Sequence, residues 1–309
     1  MKYRPLGKTG IEVSAVSFGA GPVSGWVALD DTARQIQVVR KAIDAGINWF
    51  DTAATYGDGR SEQSLGIALE ELGASERVHV ATKVRLSDEA FRDIRSFVLR
   101  SFEGSLERLR MPGVTLLQLH NSMTAGRGDQ PTSVTPQDVL GPQGVLAAFE
   151  ELRSAGLVKH LGLTGLGDAT SMKTVINSGR FATVQTPYNL LNPSAGRDMP
   201  ADYAETNYGN IFADCARQEM GVFAIRVFCG GALADREPSA HTKVTKFFPL
   251  DLYERDRRQA AEIAKGLPVG TSLPQAAVQF ALGHPTVSSA LIGFAAEQEI
   301  DDVLSYASC

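Results

Sequence analysis

Short apolar runs alternate with amphipathic stretches along the whole chain. Eight of the apolar runs predict β-strands, and they are VSAVSFG, NWFDTA, VHVATKV, TLLQLHN, KHLGLTG, FATVQTPY, GVFAIRVF and SSALIGF. The stretches between them repeat apolar residues at the spacing of one helix face, and they include TARQIQVVRKAIDAG, SEQSLGIALEELG, EAFRDIRSFVLRSFEGSLERL, VLAAFEELRSAG, YERDRRQAAEIAKG and LPQAAVQFALG. Strands that alternate with helices in this way predict an α/β protein, a (β/α)8 TIM barrel.

The sequence also indicates how this barrel begins and where its long loops lie. YRPL and IEVSA flank GKTG and predict an N-terminal β-hairpin that plugs the bottom of the barrel. No repeat, linker or low-complexity block divides the chain, so residues 1–309 are expected to form a single domain. Residues 122–141 and about 232–250 show neither the strand nor the helix pattern of apolar residues. Segments of that length in a compact domain are usually functional or mobile loops.

Composition restricts the classes of function. The net charge is −5 and no basic stripe is present, which argues against a nucleic-acid partner. No apolar run approaches the roughly 18 residues that span a bilayer, and no apolar segment follows the basic start MKYRPLGKTG. Cys215, Cys229 and Cys309 lack the spacing of metal ligands, which fits a reducing compartment. We therefore expect a cytoplasmic enzyme without a membrane segment.

Polar residues close three consecutive predicted strands. Asp51 follows NWF, Lys83 follows VHVAT, and His120 follows TLLQL. Because the active sites of such barrels lie at the C-terminal ends of the strands, these side chains are predicted to meet. A buried carboxylate needs a cation, and Lys83 is the natural partner of Asp51. Tyr56 lies in the loop above Asp51, where its hydroxyl can reach the pair.

This group of residues suits proton transfer at a carbonyl. A free tyrosine has a pKa near 10, and a neighbouring ammonium favours the phenolate. With a histidine to orient the carbonyl, Tyr56 can protonate its oxygen while the carbon receives a hydride. Each residue alone has a structural explanation, as an ion pair, a core histidine or a loop aromatic, but their convergence favours function. The other histidines lack such company and are interpreted as structural: His79, His160, His241 and His284.

At this point the sequence resembles the aldo-keto reductase family. The resemblance runs over nearly the whole chain, through YRPLGKTGIEVSAVSFG, FDTAATYG, ATKV, LQLHN, FEELRSAGLVKHLGLTG, VQTPYNLL, FCGGAL and ALIGF. It implies a catalytic tetrad of Asp51, Tyr56, Lys83 and His120, with Tyr56 as the proton donor. It also implies a nicotinamide cofactor that lies extended across the barrel mouth, without a Rossmann fold and without a metal.

The resemblance implies a set of cofactor contacts. Thr164 replaces the family's serine after the fifth strand, Gly165 lacks the usual asparagine amide, and Gln185 matches the glutamine that binds the nicotinamide carboxamide. Arg226 takes the neighbourhood of an aromatic residue that often stacks on the nicotinamide ring, and the backbone of 228–233 would wrap the pyrophosphate. The full set is Gly19, Ala20, Asp51, Thr164, Gly165, Gln185, Arg226, Phe228, Gly231, Leu233, Gly293, Phe294, Glu297 and Gln298.

The segment after the eighth strand bears on the choice between NAD(H) and NADP(H). Family members that prefer NADP usually carry a basic residue there for the adenosine 2′-phosphate, whereas IGFAAEQEIDDVLSYA has none. Its four acids are Glu297, Glu299, Asp301 and Asp302. Carboxylates repel a phosphate but accept a hydrogen bond from a ribose hydroxyl, which favours NAD(H). An arginine from another loop could restore NADP(H), and the acids could instead serve the helix dipole.

The sequence therefore predicts an NAD(P)-dependent oxidoreductase that interconverts an aldehyde, ketone or aldose and an alcohol. Candidate residues that line the substrate are Trp26, Tyr56, His120, Met123 and either Phe247 or Phe248. Family members that oxidise sugars, or alcohols such as pyridoxal, make an aldose or polyol plausible. Two alternatives stay open: a nicotinamide-binding regulatory protein of the potassium-channel β-subunit type, and a Schiff-base aldolase using Lys83. The substrate, the direction and the oligomeric state do not follow from the sequence.

Overall fold

A computed structural model describes residues 1–245 and 248–307, and its centre is a closed barrel of eight parallel strands. An antiparallel hairpin of two strands precedes the barrel. In chain order the strands are β1 (Tyr3–Pro5), β2 (Glu12–Ser14), β3 (Val16–Gly19), β4 (Trp49–Asp51), β5 (His79–Val84), β6 (Val114–Leu119), β7 (Val158–Thr164), β8 (Thr183–Pro187), β9 (Gly221–Ile225) and β10 (Val287–Ile292). Strands β3 to β9 are neighbours in chain order, and β10 closes the barrel between β9 and β3. This confirms the predicted barrel and its N-terminal hairpin.

Ten α-helices lie in the part of the chain that the structure describes. They are α1 (Thr32–Asp44), α2 (Arg60–Glu71), α3 (Ile94–Leu109), α4 (Pro136–Leu140), α5 (Val145–Ser154), α6 (Ala169–Ile176), α7 (Ile211–Arg217), α8 (Leu250–Lys265), α9 (Leu273–Gly283) and α10 (Glu297–Ala307). Periodicity does not predict α4, α6 or α7, because helices of 5, 8 and 7 residues are too short to show a clear repeat. None of the described helices is long and apolar enough to cross a membrane.

The N-terminal hairpin packs against the bottom of the barrel. Its Leu6 and Val13 are fully buried in one apolar cluster with Phe223 of β9. The approach is close at Gly7, where φ is +52° and a Cβ atom would lie 2.3 Å from the backbone nitrogen of Gly221. A glycine is therefore required at this turn, since any side chain would force the plug away from the barrel. Closing this end leaves the opposite mouth as the open one.

Residues 122–141 are more ordered than the sequence indicates. Met123 forms β-bridges with Val134 and Gly167, and α4 begins in a reciprocal capping box between Thr135 and Asp138. The expectation of a structureless loop is therefore wrong for this segment. Its order comes from a few buried contacts and one cap rather than from a repeated apolar pattern, so periodicity could not reveal it.

Candidate active site

Four polar residues lie at the C-terminal end of the barrel strands. Asp51 is the last residue of β4, Lys83 is the second-last residue of β5, and His120 directly follows β6. Tyr56 lies in the turn that leads from β4 to α2. Since alternate residues of a strand point to the same face, Lys83 can project into the barrel beside Asp51 while Val84 points outward.

The four side chains are in mutual contact. The Lys83 ammonium donates to Asp51 Oδ1 and, at 2.8 Å, to the carbonyl of Thr52. It also lies 4.9 Å from the centroid of the Tyr56 ring. The Tyr56 ring meets the His120 ring edge to face, with centroids 5.3 Å apart and an angle of 80°. The structure thus brings together the four residues that the sequence places at the strand ends.

Burial and neighbouring charges set the protonation states of this group. The side chains of Lys83 and Asp51 are only 1% and 2% exposed. Burial alone would lower the pKa of Lys83, but the Asp51 carboxylate and Tyr56 raise it above its ordinary value. Burial lowers the pKa of His120 well below its ordinary value, and the cations Arg85 and Lys83 lower it further. At neutral pH the site therefore holds a charged ammonium and a neutral imidazole.

Two amides hold the Asp51 carboxylate from the other side. Gln118 Nε2 donates to Asp51 Oδ2 at 3.1 Å, and Gln185 Nε2 donates to the same oxygen at 2.5 Å. Sequence reasoning missed Gln118, although its position two residues before His120 puts it on the barrel-facing side of β6. Gln185 is predicted to bind a carboxamide, and in this structure its own amide is bonded to Asp51.

Three further residues at the mouth also escaped sequence reasoning. The Thr55 hydroxyl lies 3.4 Å from Nδ1 of His120, and Arg85 Nε donates to the backbone carbonyl of His120 at 3.4 Å. Burial and then the charge of Arg85 lower the pKa of His241, so the loop that carries this histidine reaches the mouth. The interpretation of His241 as a structural residue stays a prediction. The available signal for Arg85 was its position two residues after Lys83, on the same side of the strand.

Acid should destabilise the fold partly through its histidines. Burial is the main reason that all five have a pKa below the ordinary value of 6.5. The unfolded chain therefore binds more protons than the folded one as the pH falls through this value, and the free energy of unfolding should fall with it. Asp256 opposes the trend, because burial raises its pKa to about 6 and the folded state then binds the extra proton.

The histidine contribution can be isolated with one variant. His120 is the most strongly shifted, so His120→Asn should lose less stability than the wild type between pH 7.5 and pH 5 in urea unfolding. The change with pH is the readout, and it is independent of any constant loss that the substitution causes. Equal pH dependence in the two proteins would contradict a neutral, buried His120.

The residues after β7 are tightly packed. Thr164 is buried, and its hydroxyl donates to the carbonyl of Leu119 at 2.8 Å. A Cβ atom at Gly165 would lie 2.9 Å from side-chain carbons of both Val184 and Thr186. The neighbouring strand therefore gives a physical reason for glycine where the resemblance leads one to expect asparagine.

Arg226 is engaged by protein side chains in this structure. Its guanidinium carbon lies 3.8 Å from the centroid of the Phe248 ring, and Nη2 lies 3.6 Å from Asp256 Oδ2. The sequence predicts that Arg226 contacts the nicotinamide ring, and in this structure its guanidinium stacks on Phe248 instead. Phe248 is itself one of the residues predicted to line the substrate. The ion pair between Arg226 and Asp256 links α8 to the end of β9. Phe247, the other candidate wall, lies outside the described residues.

Several candidate contact residues are buried rather than open to the mouth. Trp26 and Met123 are fully buried, and the Trp26 ring packs edge-on against Phe18 with centroids 5.7 Å apart. Core packing takes up both side chains in this structure, and their position along the substrate stays a prediction. Three candidate cofactor contacts are fully buried as well, and they are Ala20, Leu233 and Phe294.

Six further candidate cofactor contacts are at least partly accessible. Gly19, Phe228 and Gly231 are half-buried, whereas Gly293, Glu297 and Gln298 are exposed. Gly231 has a φ of +113°, a value that needs glycine. These residues lie around the ends of β3, β9 and β10, which is the side of the barrel where the resemblance locates the cofactor.

The acidic start of α10 is arranged around Glu299. Its Oε2 accepts a hydrogen bond from the backbone N–H of Ala295 at 2.7 Å, and its Oε1 accepts one from Arg236 Nη1 at 2.6 Å. Glu299 therefore occupies a backbone donor at the helix start, and it also neutralises an arginine that comes from another loop.

Comparison with known proteins agrees with this geometry. Among solved structures, the holo form of aldo-keto reductase AKR11C1 from Bacillus halodurans superposes with a TM-score of 0.74 at 20% identity, over 100% of this chain and 91% of that one. The likeness defines the fold as a barrel of that group. The model of the Aldo/keto reductase family matches residues 16–309, and this chain belongs to that family.

Two curated relatives show how the family varies. L-galactose dehydrogenase of Arabidopsis thaliana is 28% identical over 306 residues, which cover 98% of this chain and 86% of that protein. A probable voltage-gated potassium channel subunit beta of Oryza sativa is 23% identical over 322 residues, which cover 97% of this chain and 89% of that protein. The protein is an NAD(P)-dependent oxidoreductase of a family that acts on aldoses and other carbonyls.

The residues present fit a nicotinamide cofactor. The Gln185 amide N–H and the Thr164 hydroxyl already donate within the protein, and the oxygen atoms of both side chains keep acceptor capacity that matches the N–H groups of a carboxamide. Gly230 and Gly231 take φ values of 71° and 113°, so the backbone beside Arg226 has no side chain to prevent close approach of a pyrophosphate. Among the described residues, no group of three or more potential metal ligands is present.

Proposed function

We propose that this protein interconverts a carbonyl compound and its alcohol with NAD(H), and that Tyr56 is the general acid and base. The observation that carries the proposal is the position of the Tyr56 ring, which touches both the Lys83 ammonium and the His120 ring. When bound, the nicotinamide supplies or accepts the hydride. The proton and the orientation of the substrate are the work of side chains.

Tyr56 moves the proton. In reduction its hydroxyl protonates the carbonyl oxygen as negative charge develops there, and in oxidation the phenolate removes the proton of the alcohol. The Lys83 ammonium stabilises the phenolate, since an opposite charge nearby favours the ionised form. Asp51 keeps that ammonium charged, and the Gln118 amide fixes Asp51 in turn. The tetrad is thus one connected unit rather than four independent groups.

His120 orients the carbonyl. A neutral imidazole has one N–H and one lone pair, so its tautomer decides what it offers to the substrate. The Thr55 hydroxyl lies 3.4 Å from Nδ1. In the tautomer in which Nδ1 accepts from this hydroxyl, the ring proton is on Nε2 and can donate to the carbonyl oxygen. Because the pKa of His120 is low, it does not compete with Tyr56 as the acid.

The alternatives are less well supported by the site. A Schiff-base aldolase needs an unprotonated lysine, whereas Asp51 holds Lys83 as a buried ammonium, which is a poor nucleophile. A regulatory protein that only binds the nucleotide needs no intact acid and base. The connected Tyr56, Lys83 and His120 group therefore favours an enzyme, and turnover of any carbonyl would exclude the purely regulatory role.

An aldose or a similar polyol is the proposed substrate class, with oxidation as the proposed direction. The name of the L-galactose dehydrogenase relative supports a sugar substrate. The same mechanism also applies to other aldehydes and ketones, because the proton transfer at Tyr56 needs only a carbonyl oxygen within hydrogen-bond distance.

The acidic turn supports NAD(H) over NADP(H). Glu299 already takes the Ala295 N–H, and its carboxylate would repel a 2′-phosphate near this turn. Arg236 is a feature in favour of NADP(H), but its guanidinium is paired with Glu299. We therefore expect a ribose hydroxyl, and no phosphate, to face α10.

Titration with the two reduced cofactors tests this choice. NADH should bind at least about tenfold more tightly than NADPH when quenching of intrinsic fluorescence is followed. Glu299→Gln should reduce the preference for NADH over NADPH, because it removes the repelling charge and releases Arg236 for the phosphate. The further change Arg236→Ala should restore the preference for NADH, and Glu262→Gln, at an exposed acid of α8, is the matched control. Tighter NADPH binding by the wild type would overturn the NAD(H) proposal.

A further inference from the structure

We propose that Arg85 selects substrates that carry an anionic group, a carboxylate or a phosphate, near the reacting carbonyl. This inference rests on the proposed function, because it narrows the aldose or polyol class proposed for the same mouth to members that carry a carboxylate or a phosphate. Arg85 is not one of the tetrad residues, and it lies where β5 ends at the barrel mouth.

The backbone directs Arg85 toward the site. Lys83 projects into the barrel, and a residue two positions further along the same strand direction points to the same side. In the parallel pairing of β5 and β6, Val84 is opposite Leu119, so Arg85 comes level with His120. Arg85 Nε accordingly donates to the His120 carbonyl at 3.4 Å. The guanidinium therefore lies beside the residue that orients the substrate.

Arg85 brings a positive charge to this mouth. The charge of Lys83 is already matched by Asp51 in a buried ion pair. His120 and His241 are neutral at pH 7, since burial and nearby cations lower the pKa of each. Burial lowers the pKa of Arg85, and the neighbouring Tyr56 acts in the opposite direction.

A guanidinium suits a two-oxygen anion. It is planar and always charged, and its five N–H donors can hold a carboxylate or a phosphate through two parallel hydrogen bonds while keeping contacts to the protein. Arg85 is half-buried, and screening by water is weaker at such a position than on an open surface. A substrate with an anionic end would therefore gain orientation as well as affinity at this mouth.

Matched substrates separate the inference from the proposed function. Butanal and succinic semialdehyde have the same number of carbons and differ in the terminal carboxylate, whereas glyceraldehyde and glyceraldehyde 3-phosphate differ in the phosphate. With NADH, the wild type should show a kcat/KM at least about tenfold higher for the anionic member of one pair. The pair that shows the preference identifies the anion. Turnover of the neutral aldehydes reports the oxidoreductase activity itself.

Variants at Arg85 then locate the preference. Arg85→Gln should reduce the ratio of anionic to neutral kcat/KM to near one. It should leave kcat/KM for the neutral aldehyde within about threefold of the wild-type value. Arg85→Lys should retain part of the preference for the anionic substrate. Arg92→Gln, an exposed arginine in the same loop, should change neither value. Raising the KCl concentration should lower the wild-type ratio, a measurement that needs no variant.

Three results would overturn the proposal. The first is a wild-type ratio near one in both pairs with active turnover of neutral aldehydes. The second is an unchanged ratio in Arg85→Gln. The third is an equal loss for neutral and anionic substrates in that variant, which would make Arg85 a support of His120 and not a specificity residue. Absence of turnover with every aldehyde would instead count against the proposed function.

Discussion

Tyr56→Phe should lower kcat by about 10²- to 10⁴-fold and leave NADH affinity within a few-fold of the wild type. The substitution removes only the hydroxyl, which acts on the substrate oxygen in the transition state and not in cofactor binding. The Tyr56 ring, which packs against His120, is retained, so the surrounding geometry should persist. Steady-state rates and a fluorescence titration with NADH measure the two quantities separately.

The hydroxyl of another tyrosine provides the control. Tyr3 lies in the N-terminal hairpin, and its hydroxyl donates to the Gly46 carbonyl at 2.9 Å, far from the mouth. Tyr3→Phe should therefore keep wild-type turnover. If Tyr56→Phe turned over at the wild-type rate, Tyr56 could not be the proton donor, whereas loss of NADH binding in that variant would point to a role in the cofactor site.

Lys83→Met should remove activity and also destabilise the fold by about 3–5 kcal/mol. Methionine fills a similar volume, but it leaves the Asp51 carboxylate buried without its cation. The raised pKa of Lys83 means that this ion pair stabilises the fold throughout the neutral range, and the contribution is lost only as the pH rises through the folded pKa of the lysine. Urea unfolding at pH 7.5 and assays of kcat give the two results.

A double variant separates stability from chemistry. Asp51→Asn combined with Lys83→Met leaves no charge of the pair buried, so most of the lost stability should return while activity stays absent. Lys41→Met breaks a partly exposed pair with Asp301 and should cost no more than about 1 kcal/mol. Activity that returned together with stability in the double variant would reduce the pair to a purely structural role.

The positions of the four residues at the mouth were well predicted from the sequence, but their supporting contacts were not. Asp51, Lys83 and His120 could be singled out because each ends an apolar run, and strand ends of a barrel meet at one mouth. The bond between Gln185 and Asp51 joins residues 134 positions apart, and no local pattern indicates it. The burial of Trp26 likewise depends on packing between distant parts of the chain, and no local sequence pattern indicates it.

By itself, the sequence determined the order of the strands and of the longer helices, the plug and the four residues at the mouth. These follow from local periodicity and from the fixed side-to-side alternation of a strand, which act over a few residues. The tertiary structure decided which polar groups are paired: the amides on Asp51, Arg226 with Asp256, and Arg236 with Glu299. Such choices depend on where loops from distant strands come together, and that position is fixed only once the barrel has closed.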